Sequence, residues 1–228
     1  MFKSLIQWFK AENLLVQAKE EILEMLKENL SMFNDSVELL WMNKGVSLDE
    51  IRERDRRINR NVRDVRKKVL THLAFSGSSG LETSLVLISI AVDIERMGDY
   101  TKDITYLATD YPGRFKPGDF EEALREFEKS IAKRLETLPD IIRGGEEGVS
   151  KAAELAAYHR EIDKNYRNMI FRLITEENKS LTSNQCALLA LYMRYLRRIE
   201  GHIFNIASAE VNPFHRIGFK IKEKSKQK

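Results

Sequence analysis

Cysteine is nearly missing from this chain. Cys186 stands alone, which excludes an intramolecular disulfide and any metal site built from several thiolates. It lies in the apolar run Cys186-Ala-Leu-Leu-Ala-Leu191, where a small buried hydrophobe is the expected role. Four prolines and eleven glycines in 228 residues leave room for long unbroken helices. No apolar run is long enough to span a bilayer. The first ten residues lack the apolar core and small-residue cleavage site of a signal peptide, so a cytoplasmic location is expected, with no membrane insertion. No stretch alternates with period two long enough to make a strand. The glycine-rich turn Ser76-Gly-Ser-Ser-Gly80 has neither the spacing nor the lysine of a phosphate loop. There is no Gly-x-Ser-x-Gly and no zinc-protease histidine pair. None of His72, His159, His202 and His215 follows a glutamate by three residues, as a di-iron bundle oxidase requires. No enzymatic activity is expected.

What the chain does have is charge of both signs. Asp, Glu, Lys and Arg make up 32% of the residues, with a net charge of only +3, the signature of long solvated helices. A first helix is expected over Glu12–Leu40, with Leu15, Ala18, Ile22, Met25, Val37 and Leu40 as its core stripe. Before it, Phe2, Leu5, Ile6, Trp8 and Phe9 outline a short amphipathic helix. With few basic neighbours, it is expected to cover the core or a homodimer interface rather than a membrane surface. Ser47-Leu-Asp-Glu50 reads as a capping box. It opens a second helix, to about Phe75, that holds Arg52, Arg54, Arg56, Arg57, Arg60, Arg63, Arg66, Lys67 and Lys68. Glu50, Glu53 and Asp64 precede Arg54, Arg57 and Lys68 by four residues, the favoured order for ion pairs along one helix. No aromatic or groove-reading motif accompanies this charge, so nucleic acid is not expected as a partner.

Ser79-Gly-Leu-Glu82 reads as a second capping box, opening a third helix. Asp110–Asp119 holds two Pro-Gly steps and marks the chain's main boundary. Asp119 is expected to cap a fourth helix, ending near Arg143 at Gly144-Gly145. A fifth covers about Ser150–Glu176 and a sixth about Asn184–Ala209, stopped by Asn212-Pro213. The division is thus residues 1–111, residues 112–212, and a basic tail, 213–228, expected to be disordered.

The third helix carries the most informative pattern. Glu95, Asp99 and Asp103 follow one another at intervals of four, which stacks three carboxylates on one helical face, about 6 Å apart. Such a row needs a counter-charge, either basic side chains from the second helix or a metal ion. Asp55 on the second helix can face the row, and Asp93 is a further candidate. Carboxylates suit magnesium, manganese or iron, with zinc also within reach.

The halves also echo each other. Glu53-Arg-Asp55 returns as Glu161-Ile-Asp163, and the run from Glu95 returns from Arg197. The fold class expected is all-α, with six long helices forming two tandem, pseudo-symmetric three-helix bundles. Asp93-Ile-Glu-Arg-Met-Gly-Asp99 resembles the Asp-Leu-Glu-Arg-Ile-Gly-Asp signature of PhoU proteins. Leu196-Arg-Arg-Ile-Glu-Gly-His-Ile-Phe-Asn-Ile-Ala207 is similar to the family's second copy. The resemblance implies a negative regulator of phosphate uptake and of the phosphate regulon. Its implied partners are the ATPase subunit of the phosphate ABC transporter and a sensor histidine kinase. It also implies iron or zinc on the acidic rows, giving an alternative role in metal storage or metal-dependent hydrolysis. The metal ligands would be Glu95, Asp99, Asp103 and Asp55. The second copy departs from the family, with Arg197 in place of Glu and Gly201 in place of Asp, so any metal site is expected in the first half.

Overall fold

The computed structural model describes residues 2–111, 113–175 and 180–220, with side chains from residue 13 onward. Among these residues six α-helices follow in order: α1 (Phe2–Met42), α2 (Leu48–Ser76), α3 (Leu81–Asp110), α4 (Glu121–Arg143), α5 (Gly145–Thr175) and α6 (Ser183–Val211). Among the described residues there is no strand. The first three helices pack on one another, and so do the last three. The two bundles meet along α3 against α6 and α1 against α4. The expected pair of three-helix bundles is what forms. No helix among the described residues is long and apolar enough to cross a membrane.

Helix α1 is continuous from Phe2, rather than a short segment followed by a long one. At 41 residues it is about 60 Å long. The side chains of Phe2, Leu5, Ile6, Trp8 and Phe9 lie outside the described residues. Of the expected stripe, Ala18, Ile22, Met25 and Leu40 are buried, while Leu15 and Val37 pack at the core's margin. Cys186 is half-buried at the start of α6 rather than buried.

The caps divide into hits and misses. Ser47 and Glu50 form the capping box of α2, with Glu50 N–H donating to Ser47 Oγ over 3.2 Å and Ser47 N–H to Glu50 Oε2 over 2.8 Å. Ser79 does not cap α3. Gly80 takes that position in the left-handed region (φ 71°) without a side-chain bond, and a Cβ there would stand 2.9 Å from His72 Nε2. Asp119 does not cap α4 either, because it falls inside a 3-10 turn, Gly118–Phe120, that leads into the helix. Helix α5 starts five residues earlier than expected, at Gly145. The absence of a side chain at Gly148 lets its first turn lie against the carbonyls of Asp140 and Ile141, 3.1 Å from where a Cβ would sit. A second capping box, Thr182 with Gln185, opens α6.

Residues 213–220 differ from the expected disordered tail. Phe214–Arg216 form a 3-10 turn. Asn212 Nδ2 donates to the carbonyls of Arg216 and Phe219, and Gly218 N–H donates to Ser208 Oγ over 2.7 Å. Residues 221–228 lie outside the described residues.

A buried carboxylate joins the halves. Glu128 of α4 accepts from Trp41 Nε1 of α1 (2.7 Å) and from the Tyr192 hydroxyl of α6 (2.5 Å). Phe115 packs edge-to-face with both rings, with centroids 4.8 and 5.5 Å apart. The Arg125 guanidinium lies 3.5 Å over the Trp41 ring. Burial pushes the Glu128 carboxyl up, against the pull of the bonds from Tyr192 and Trp41.

Candidate functional site

Helix α3 approaches α1 and α2 closely at Gly98. A Cβ there would meet Ile58 at 3.4 Å, Asn29 Oδ1 at 3.6 Å and Asp55 Oδ1 at 3.8 Å. That approach brings Asp55 of α2, which is only 6% exposed, alongside the acidic row of α3. Lys102 bridges them, with its Nζ 2.7 Å from Asp55 Oδ2 and 3.0 Å from Asp99 Oδ1. Asn59 Nδ2 adds a bond to Asp55 Oδ2 over 3.3 Å. Arg96 lies near Asp99 (3.5 Å) and Glu95 (3.6 Å). Burial alone would pull the Lys102 ammonium down, but its bonds to Asp55 and Asp99 outweigh that and hold it above the ordinary lysine value. Asp103 has no such partner among the described residues. Burial first, then the charge of Asp99, pushes its carboxyl up, and Lys102 offsets only part of this.

Asp55, Asp99 and Asp103 therefore share one locality, with Glu95 one turn further along. Asp93 turns away towards α6, where His202 Nδ1 (2.7 Å) and Asn205 Nδ2 (2.9 Å) donate to it. The counter-charge is neither of those expected. It comes from Lys102 on the row's own helix, not from the arginines of α2. Those arginines pair elsewhere: Arg52, Arg56 and Arg60 within α2 but at spacings other than four residues, and Arg54 and Arg57 across to α1. Arg54 binds Glu28 and Asp35 of α1, Arg57 binds Glu28, and Lys68 binds Glu21. Glu53 pairs within α2, but with Arg56 and Arg60. Lys102 was visible in the sequence three residues after Asp99, a spacing that places both on one face.

Nowhere among the described residues do three His, Cys, Asp or Glu side chains come together as a metal-ligand set. A metal ion between Asp55 and Asp99 would need the position the Lys102 ammonium holds, so the residues as arranged do not fit one. Asp55 Oδ1 and Asn29 Oδ1 are shut from solvent without a hydrogen-bond partner among the described residues.

The counterpart in the second half has the opposite charge. By the internal repeat, Asp55 corresponds to Asp163, and Glu95, Asp99 and Asp103 correspond to Arg197, Gly201 and Asn205. These four residues line one cleft of about 530 Å³, together with Tyr166, Arg167, Arg194, Arg198 and His202. Asp163 binds Arg197 (2.6 Å) and Arg167 (2.9 Å). Burial would raise the Asp163 carboxyl, but the two guanidinium groups prevail and hold it below the usual range. Glu200 does not face this cleft's arginines. Fully buried, it accepts from Arg134 (2.7 Å) and His159 (3.1 Å). His159 stacks on Phe204 with ring centroids 4.1 Å apart.

Residues 22–108 match the model of the PhoU domain. Most of the chain is similar in fold to solved structures, among them two PhoU proteins. One is PhoU from Pseudomonas aeruginosa, with a TM-score of 0.69 and 18% identity, over 90% of this chain and 96% of that one. The other is the phosphate transport system regulatory protein PhoU from Streptococcus pneumoniae, with a TM-score of 0.68 and 18% identity, over 96% of this chain and all of that one. No curated protein matches the chain in sequence.

Proposed function

We propose, for a chain whose first half carries a PhoU domain and whose two bundles share the PhoU fold, that it negatively regulates phosphate uptake and the phosphate regulon. It does so by protein contact, with the ATPase subunit of the phosphate ABC transporter and a sensor histidine kinase as partners. The observation that carries this reading is the family match over residues 22–108. Two similar folds, one of them a phosphate transport system regulatory protein, support it. The long helices fit the role, since they offer charged, solvated faces. A cytoplasmic homodimer is part of the same reading.

Removing the protein from cells tests the proposal. In phosphate-rich medium the phosphate regulon should then be expressed and uptake should rise, and both should return when the intact chain is restored. Expression and uptake that stay at the repressed level would overturn it. The metal-binding alternative draws on the two unpartnered buried oxygens near Gly98, and it requires Lys102 to leave its place. Elemental analysis of protein purified without chelator decides that point. A stoichiometric iron or zinc content lost in Asp99→Ala would favour the metal, and none would leave the row's counter-charge to Lys102 and Arg96.

A further inference from the structure

The cleft of the second half occupies the position of the acidic row but inverts its charge. Four arginines, Arg167, Arg194, Arg197 and Arg198, surround the single carboxylate of Asp163. That carboxylate is already engaged by Arg197 and Arg167. Arg194 and Arg198 pair with no carboxylate among the described residues. Arg198 instead donates from Nε to the Tyr100 hydroxyl (3.0 Å), with its guanidinium 5.4 Å from that ring's centre. Arg197 is fixed by Asp163 and lies over Tyr166. Its Nη1 is 3.4 Å from where a Cβ on Gly201 would stand. The position that holds Asp99 in the first half is thus vacated here, and a guanidinium takes up the space beside it.

We infer that this cleft binds a multiply charged phosphate anion of the pyrophosphate class, free or as the phosphate chain of a nucleotide. Guanidinium forks match phosphate oxygens in pairs, and each such bond is charge-assisted. A concave site whose lining is positive on balance, four guanidinium groups against one carboxylate, concentrates the counter-ion further. At about 530 Å³ the cleft exceeds what a lone orthophosphate fills, and the phenol of Tyr166 adds a neutral donor to its wall. This inference does not depend on the regulatory reading, because its test is made on purified protein without partners.

The experiment is titration calorimetry of the full chain with orthophosphate, pyrophosphate and ATP, with sodium sulfate at equal ionic strength as control. Pyrophosphate should bind saturably, more tightly than orthophosphate or sulfate, and more weakly as salt rises. ATP binding like pyrophosphate would assign the phosphate chain alone, and tighter ATP binding would assign a nucleotide. Gly201→Asp returns a carboxylate to a solvated helical position and should weaken pyrophosphate binding about tenfold or more, as should Arg194→Ala combined with Arg198→Ala. Lys129→Ala, away from the cleft, should change nothing. Circular dichroism checks that each variant is folded. The inference is overturned if the wild type binds none of the phosphates saturably, if sulfate binds as tightly as pyrophosphate, or if folded Gly201→Asp binds pyrophosphate like the wild type.

Discussion

At Lys102 a single ammonium holds two carboxylates from different helices. Charge-assisted hydrogen bonds contribute about 1.5–3 kcal/mol when shielded, and partial solvation lowers that. Lys102→Met should therefore destabilise the chain by about 1–2 kcal/mol in urea unfolding. It also leaves Asp55 and Asp99 without the cation between them, with only Arg96 still beside Asp99. Millimolar manganese should restore part of the lost stability in this variant and do little for the wild type. Equal responses in both would contradict the place given to the lysine.

Asp103 makes the opposite case. Its carboxyl is pushed up by burial and by Asp99, so its ionised form is disfavoured in the folded state. The resulting cost is present above the folded pKa and vanishes below the unfolded one. Asp103→Asn should raise stability at pH 7 by about 0.2–0.5 kcal/mol, the scale of a like-charge pair one turn apart. The gain should disappear near pH 3, and a melting series across that range would reveal it. A larger penalty awaits Arg134→Met, which strands the fully buried Glu200. A loss of about 3–5 kcal/mol is expected, and adding Glu200→Gln should recover part of it.

At the scale of the element, the helices were legible because their signals are local. Ser47 with Glu50, the glycines at the end of α4, and Asn212-Pro213 each act within a turn, and each stands where the pattern put it. Ser79 and Asp119 failed for a tertiary reason and a local one. His72 crowds the turn before α3 and bonds the Ser79 carbonyl (3.0 Å), and the Pro117-Gly118 step winds a tighter turn through Asp119. The ion pairs of α2 were misread because spacing along one helix says nothing of the helix beside it. Glu21, Glu28 and Asp35 recur every seven residues on α1, and they meet Lys68, Arg57 and Arg54. Ser47→Ala removes both halves of a reciprocal cap and should cost about 1 kcal/mol in thermal or urea unfolding. An unchanged midpoint would mean that the end of α2 is held by other contacts.

At the scale of the whole molecule, the duplication was readable from two echoed runs, and the bundles follow it. The seam was not, because Trp41, Glu128 and Tyr192 are 87 and 64 residues apart along the chain and no short pattern links them. The acidic residues of the site could likewise be located on their face, but their bridging lysine was overlooked, and the arginine cleft is defined by α5 and α6 packing together. An acidic row in one copy and an arginine-lined cleft in the other present two unlike surfaces, which suits the proposed contact with more than one partner. The most direct measurement of that role is co-purification after brief cross-linking, from cells grown with and without phosphate. The expected result is recovery of the transporter ATPase subunit and the sensor kinase with the intact chain in phosphate-rich cells. Recovery of the chain with neither partner under both conditions would contradict it.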